Sequence, residues 1–307
     1  MRDGGIRDGG MRDGGWADRS RTDVGANGEG LLGAAGPRAE AQRTSAAVVP
    51  DRLRAVELSA LAGVWKHETT LFRRFWRSST FSSVVEPTIY LLAFGSGFGA
   101  LVGRVAGYRY IDFIGTGVVA TAVLFTAAFT AMFQTFVRRE FDHGYDALLA
   151  APVDVHEVVL GESSFIAVKA GTYGCAPLLV AMCFGLQPSW GMLLVPFIGV
   201  LTGMGFALFG VIASALVPSI DSFNYIISGL LTPLFLVAGT FFPITQLPAW
   251  AQTAAEANPL YHCVQLVRHA AFGLHPAADL GHVGFLAAFA LGMGALAVWR
   301  MRAVLID

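Results

Sequence analysis

Residues 111–137 read IDFIGTGVVATAVLFTAAFTAMFQTFV and run directly into Arg138 and Arg139. A helix needs roughly 20 mostly apolar residues to cross the hydrocarbon core of a bilayer. This run exceeds that length and stops at two adjacent cations. Working outward, five further stretches qualify, at about 79–103, 163–186, 191–217, 223–242 and 282–299. Each is bounded by charged, proline-containing or glycine-rich segments. The ten-residue alternation of barrel strands is absent. The sequence therefore predicts an all-α membrane protein with six transmembrane helices.

Composition agrees. Of 307 residues, 54% are hydrophobic and 14% charged, and the mean hydropathy is +0.57. Soluble domains carry about 25% charge. The 36 glycines suit membrane helices. A net charge of −1 offers no basic face to a phosphate backbone, so nucleic acid is excluded as a partner. Three cysteines make no disulfide framework.

Residues 1–50 differ in kind. They open with Arg-Asp-Gly-Gly written three times, from Arg2, Arg7 and Arg12. With few large apolar side chains, they read as a disordered low-complexity tail, or as an artefact of the start site. They also lack the apolar core of a signal peptide.

Orientation follows from lysine and arginine placement. With the N-terminus inside, ten such residues near the membrane, among them Lys66, Arg73, Arg138 and Arg300, fall on the cytoplasmic side. Three fall outside: Arg104, Arg109 and Arg268. Both termini are expected in the cytoplasm of a multi-pass cell-membrane protein.

Residues 51–78 form a separate expected unit, a cytoplasmic interfacial amphipathic helix. Leu61, Val64, Trp65, Leu71, Phe72, Phe75 and Trp76 recur at helical spacing between 57 and 78, with Lys66, Arg73, Arg74 and Arg77 between them. A basic helix with Trp and Phe on its apolar face lies in the membrane interface, in contact with lipid. Residues 79–307 make up the six-span domain.

Catalytic patterns are missing. A P-loop needs a lysine followed by Ser or Thr, and the two lysines, Lys66 and Lys169, precede His67 and Ala170. His67-Glu68 begins a zinc-protease pattern, but position 71 is Leu where a second His is required. The seven histidines are scattered without ligand spacing. Catalytic, cofactor and metal residues are therefore expected to be none. Gly95, Gly99 and Gly103, spaced by four, predict close helix contact.

Two ionisable residues fall inside spans, Glu86 before Pro87, and Lys169. Intramembrane charges mark function by default. Glu86 has three open roles: binding substrate, pairing with Lys169, or capping backbone loosened by Pro87. Lys169 has the reach to snorkel to the inner interface.

Two connecting segments carry more information than the spans. The first runs from Arg138 to Pro152, with Phe141, Tyr145, Leu148 and Leu149 on one helical face, and continues to Gly161-Glu162. A short amphipathic helix of this kind docks in a partner's groove. The second runs Gly239-Thr240-Phe241-Phe242-Pro243-Ile244, then Leu247-Pro248-Ala249-Trp250, Asn258-Pro259-Leu260-Tyr261 and Arg268. Too apolar for a solvated loop and too broken by proline to span, it fits an extracytoplasmic re-entrant hairpin between spans five and six.

Taken in order, the Glu86-Pro87 to Gly99 run, Tyr110 to Gly117, the Pro152…Gly161-Glu162 segment and the Phe242-Pro243…Asn258-Pro259-Leu260…Arg268 segment resemble the permease subunits of ABC-2 type transporters. Within that family the NodJ-like and daunorubicin-resistance-like permeases are most similar. The resemblance covers about residues 60–300 and leaves residues 1–50 unexplained.

The resemblance implies a permease that dimerises, with itself or a related chain, on two copies of a separate ABC ATPase. That partner would use ATP and Mg, while this chain binds no cofactor and is not itself an enzyme. It further implies a coupling helix at Phe141, Tyr145, Leu148, Leu149, Pro152, Gly161 and Glu162 in contact with the ATPase. The helix carrying Trp65, Arg73, Arg74 and Trp76 would be the gate element. NodJ-like members imply export of lipid-linked saccharides, and daunorubicin-resistance-like members imply drug efflux. An ion-coupled secondary transporter is the alternative, although spans 1–3 and 4–6 show no convincing repeat of the kind such folds display.

Overall fold

The computed structural model describes residues 57–141 and 153–305. The expected tail at 1–50 and most of the expected coupling helix lie outside the described residues. Six helical segments are long and apolar enough to cross a membrane: Leu58–Val102, Tyr110–Glu140, Val155–Cys183, Trp190–Leu216, Ile220–Val237 and Pro276–Leu305. They are spans 1 to 6 below.

Span 1 departs from expectation. The residues of the expected interfacial helix and of the first span form a single α-helix, Leu58–Leu92, of 35 residues. At 1.5 Å per residue it is about 52 Å long, whereas the hydrocarbon core is about 30 Å thick. Only part of that length fits the apolar layer, and the first half carries the basic residues Lys66, Arg73, Arg74 and Arg77. No proline or glycine lies between residues 64 and 86 to break it. Its hydroxyls bond back to the helix instead, as with Thr69 to the Trp65 carbonyl and Thr88 to the Val84 carbonyl.

Span 1 then loosens into a π-helical stretch, Ala93–Phe98, before a short turn, Gly99–Val102. The three glycines spaced by four do not act alike. A side chain at Gly95 would come 2.9 Å from Ile111 of span 2, so this glycine does permit close contact. Gly99 is in ordinary contact with Tyr110, and Gly103 has no neighbour within 4 Å. Gly103 instead adopts φ +69°, which only glycine takes readily, to enter a two-residue β-hairpin (Arg104–Val105 with Tyr108–Arg109).

Span 2 is the central helix, with Phe113, Ile114, Val118, Val119, Val123, Leu124 and Met132 buried. Spans 3 and 4 pack on it and on each other through small residues. At Gly171 an added Cβ would lie 2.7 Å from the Pro196 carbonyl oxygen of span 4. Close backbone approach of this kind drives helix association where lipid offers no hydrophobic contrast. Span 3 starts in a capping box, Asp154 with Glu157. The second carboxylate oxygen of Glu157 accepts from the Glu57 amide at 2.7 Å, joining the start of span 3 to the start of span 1.

The segment between spans 5 and 6 forms a pair of helices, Ala249–Glu256 and Pro259–Phe272. Asn258 explains the corner between them. Its Oδ1 accepts from the Leu260 amide at 2.9 Å as an N-cap, and its Nδ2 donates to the Leu234 carbonyl of span 5 at 2.6 Å. At the same end, the Ser189 hydroxyl donates to the Ala270 carbonyl at 2.6 Å. The β-hairpin, residues 184–189 and the helix pair thus gather at one end of the bundle, the hairpin end.

Candidate functional site

At the opposite end, Arg138 joins three spans. Its guanidinium projects from the last turn of span 2 and forms ion pairs with Glu68 of span 1 and with Glu162 of span 3, the second at 3.3 Å. Gln134 donates its amide to the other Glu68 oxygen at 2.8 Å, and the Thr135 hydroxyl donates to Glu162 at 3.2 Å. The three charged side chains are 9%, 3% and 1% exposed. A buried carboxylate survives only when paired and hydrogen-bonded, and both conditions are met here.

Lys169 adds the fourth charge. It lines a cavity of about 430 Å³ together with Glu68, Arg138, Phe72, Phe165 and Thr130, and its ammonium lies 5.9 Å from the centre of the Phe72 ring. Among the described residues, the set holds two cations and two carboxylates. Glu86 lies elsewhere, exposed on the wall of a second cavity of about 470 Å³ between spans 1, 2 and 5. Tyr90, Thr121, Phe125, Thr126 and Phe235 line that cavity with it. No Glu86–Lys169 ion pair occurs among the described residues. Thr130 belongs to both cavity walls, so the two are neighbours along span 2.

The residues of the expected gate helix divide. The Trp65 indole donates to the Ser164 hydroxyl at 2.8 Å and meets Phe165 edge to face, which fixes span 1 against span 3. Arg73 and Arg74 are exposed, and Trp76 is half exposed with Arg77 over its ring. One face of this helix is thus occupied by protein and the other is open.

The expected coupling residues divide as well. Phe141 is exposed at the end of span 2. Tyr145, Leu148, Leu149 and Pro152 lie outside the described residues. Gly161 and Glu162 sit inside the helix pack rather than on a contact surface. A side chain at Gly161 would meet Val64 at 2.9 Å, and Glu162 is fully buried on Arg138.

Sequence reasoning missed Glu68 and Arg138 as a pair, dismissing the first as an incomplete zinc motif and using the second for orientation and as the start of a connecting segment. A signal was present. Glu68 falls on the same helical stripe as Leu61, Val64, Leu71 and Phe72, and a carboxylate on an apolar face needs a partner. The histidines also gather more than their spacing suggested. His262 and His282 face each other with Nδ1 atoms 2.7 Å apart, and His269 meets Asp279 at 2.5 Å, all at the hairpin end. No group of three or more His, Cys, Asp or Glu among the described residues is arranged to hold a metal ion.

Known proteins resemble this chain over the same region. Residues 61–272 match the family described as ABC-2 type transporter. A Nodulation protein J of Rhizobium leguminosarum bv. trifolii is 35% identical over 224 residues, covering 73% of this chain and 85% of the relative. Its counterpart in Rhizobium meliloti is 33% identical, covering 74% and 87%. The Inner membrane transport permease YadH of Escherichia coli K12 is 25% identical, covering 75% of this chain and 90% of the relative.

Proposed function

This chain belongs to the ABC-2 type transporter family as a multi-pass membrane permease subunit, and from that premise we propose that it exports an amphiphile, a drug or a lipid-linked saccharide. The family implies an ABC ATPase partner. In this reading two copies of that ATPase hydrolyse ATP with Mg, a second permease copy completes the pathway, and both termini face the cytoplasm.

The observation that carries the reading is the position of Arg138. It lies immediately before the segment expected to contact the ATPase, and Glu162 lies after that segment. Both are tied to Glu68 through buried charge. Movement of residues 141–152 by the ATPase would therefore reach spans 1, 2 and 3 together. Coupling of this sort needs a contact whose energy differs between two states. A charge cluster is suited to it, because a small shift in a water-poor site changes its energy steeply.

The 470 Å³ cavity supports an amphiphilic cargo. Its aromatic walls suit an apolar chain, and Glu86 with Thr121 and Thr126 offers a few polar contacts, the usual balance of a ligand site. Glu68 and Glu162 are both held by Arg138, so an ion-coupled transporter would have to work through Glu86 alone among the acids near the two cavities.

The test is uptake into inside-out vesicles of the chain co-expressed with its candidate ATPase. ATP-dependent uptake of a labelled amphiphile, insensitive to protonophores and lost with an ATPase knockout, is the expected result. Uptake driven by a proton gradient without ATP would overturn the reading.

A further inference from the structure

Arg109 and Arg268 both stand at the hairpin end of the bundle, and they differ in one respect. Arg109 is forked onto Asp112, with Nε and Nη2 at 2.7 and 2.8 Å from its carboxylate oxygens. Arg268 has no carboxylate among the described residues. Its Nη2 donates to the Gly239 carbonyl at 2.7 Å, and its Cζ lies 3.7 Å from the centre of the Phe113 ring. Its Nε is buried and has no hydrogen-bond partner. A guanidinium carries five N–H donors, so most of this one remains to be satisfied.

Arg268 forms part of the wall of a cavity of about 300 Å³, shared with Gln265, His269, His275, Tyr108 and Phe272. Two carboxylates of this end are already engaged: Asp112 holds Arg109, and Asp279 holds His269. One oxygen of Asp279 is 2.5 Å from His269 Nδ1 and the other accepts from the His275 amide at 2.8 Å. The cation is therefore neither neutralised nor fully hydrogen-bonded. Burial pushes its pKa down to about 9, as expected of a desolvated charge lacking a counter-ion.

We propose that this cavity is a binding site for a phosphate group, seated on the free edge of the Arg268 guanidinium and flanked by Gln265 and His275. A planar fork of N–H donors matches two oxygens of a phosphate better than any other charged side chain does. At about 300 Å³ the space is at the lower limit of ligand cavities, enough for a headgroup but not for a whole amphiphile. Tyr108 and Phe272, stacked 4.0 Å apart, form an aromatic wall of the kind found at membrane interfaces. The site is distinct from the 470 Å³ cavity, and its occupancy is independent of the exporter reading. The phosphate can come from a lipid headgroup or from solution.

The full chain, purified in phosphate-free detergent, would be melted in chloride, in inorganic phosphate at matched ionic strength, and with added phosphatidylglycerol or phosphatidylcholine. A rise in melting temperature with inorganic phosphate identifies a soluble ligand. A rise with phosphatidylglycerol alone identifies a lipid headgroup. In either case Arg268→Gln should weaken the apparent affinity by about tenfold or more, the range for losing a charge-assisted contact. Should Arg268→Gln not fold, His275→Glu places a carboxylate at the exposed rim, where the ring gives up only its contact with His269 among the described residues, and it should abolish the rise by repulsion. The proposal is overturned if neither ligand raises the melting temperature above chloride, or if the variants respond as the parent does.

Discussion

Arg138 Nη1 and Glu162 Oε1 lie 3.3 Å apart, closing the two ends of the segment between spans 2 and 3 onto each other inside the helix pack. The same guanidinium holds Glu68 of span 1. One buried cation thus ties the end of span 2 to span 1 and to span 3.

Arg138→Gln should be the most damaging single change in this region. It removes the cation that holds both Glu68 and Glu162 in this buried cluster, and breaking a buried pair in this way costs about 3–5 kcal/mol. Glu68→Gln should cost less, because Arg138 keeps Glu162. Thermal melts in detergent compare the two, and a melting temperature for Arg138→Gln at or above that of Glu68→Gln would refute the ranking.

Lys169 and Glu86 should behave independently. They line different cavities, and separated groups add within about 0.5 kcal/mol. Lys169→Gln, Glu86→Gln and the double variant form a cycle that transport rate or stability can read. Recovery of function in the charge-swapped double variant would show a pairing that this arrangement lacks.

Phe141→Ala combined with Leu148→Ala should leave membrane insertion intact while reducing recovery of the ATPase partner on affinity purification. Apolar anchors of a helix-in-groove contact often cost above ~1 kcal/mol each when truncated. Full export with normal ATPase recovery would remove the coupling role from this segment.

Stability should fall on acidification because of His262. Its Nε2 lies 2.8 Å from the Glu256 carbonyl, an acceptor only, so the proton sits on Nε2 and Nδ1 accepts from His282. Burial lowers its pKa below the usual value of 6.5, outweighing the opposing pull of the Glu256 carbonyl and carboxylate. Between the lowered value and 6.5 the unfolded chain binds more protons than the folded one. Stability therefore rises with pH in that window and is lost as pH falls through it. Melting temperature followed downward from pH 7 should drop in the parent and flatten in His262→Gln. Identical slopes would exclude His262 as the cause.

Hydropathy summed over a window is a local property, and it sufficed to place six spans, although the observed ends differ by up to about twenty residues where the basic helix runs on into the first span. Asn258-Pro259 likewise marked a corner from local chemistry alone, since an Asn cap followed by proline at the first helical position suits a helix start. The continuity of Leu58–Leu92 was harder to read. The shift from basic amphipathic to apolar character at residue 79 resembles a boundary, yet nothing in the backbone chemistry breaks there.

What no window could supply is which faces meet. Glu68 and Arg138 are 70 positions apart, and whether they touch depends on the rotation of each helix about its axis. That rotation is set by close approaches such as Gly171 on Pro196 and Gly161 on Val64. The same holds at the other end, where His262 and His282 sit on different helices and Arg268 is left with an unsatisfied edge. Length and apolarity, being sums over neighbours in the chain, were determined by the sequence directly. The charge clusters were decided only by tertiary packing, because their energy depends on distances between residues that the chain itself keeps far apart.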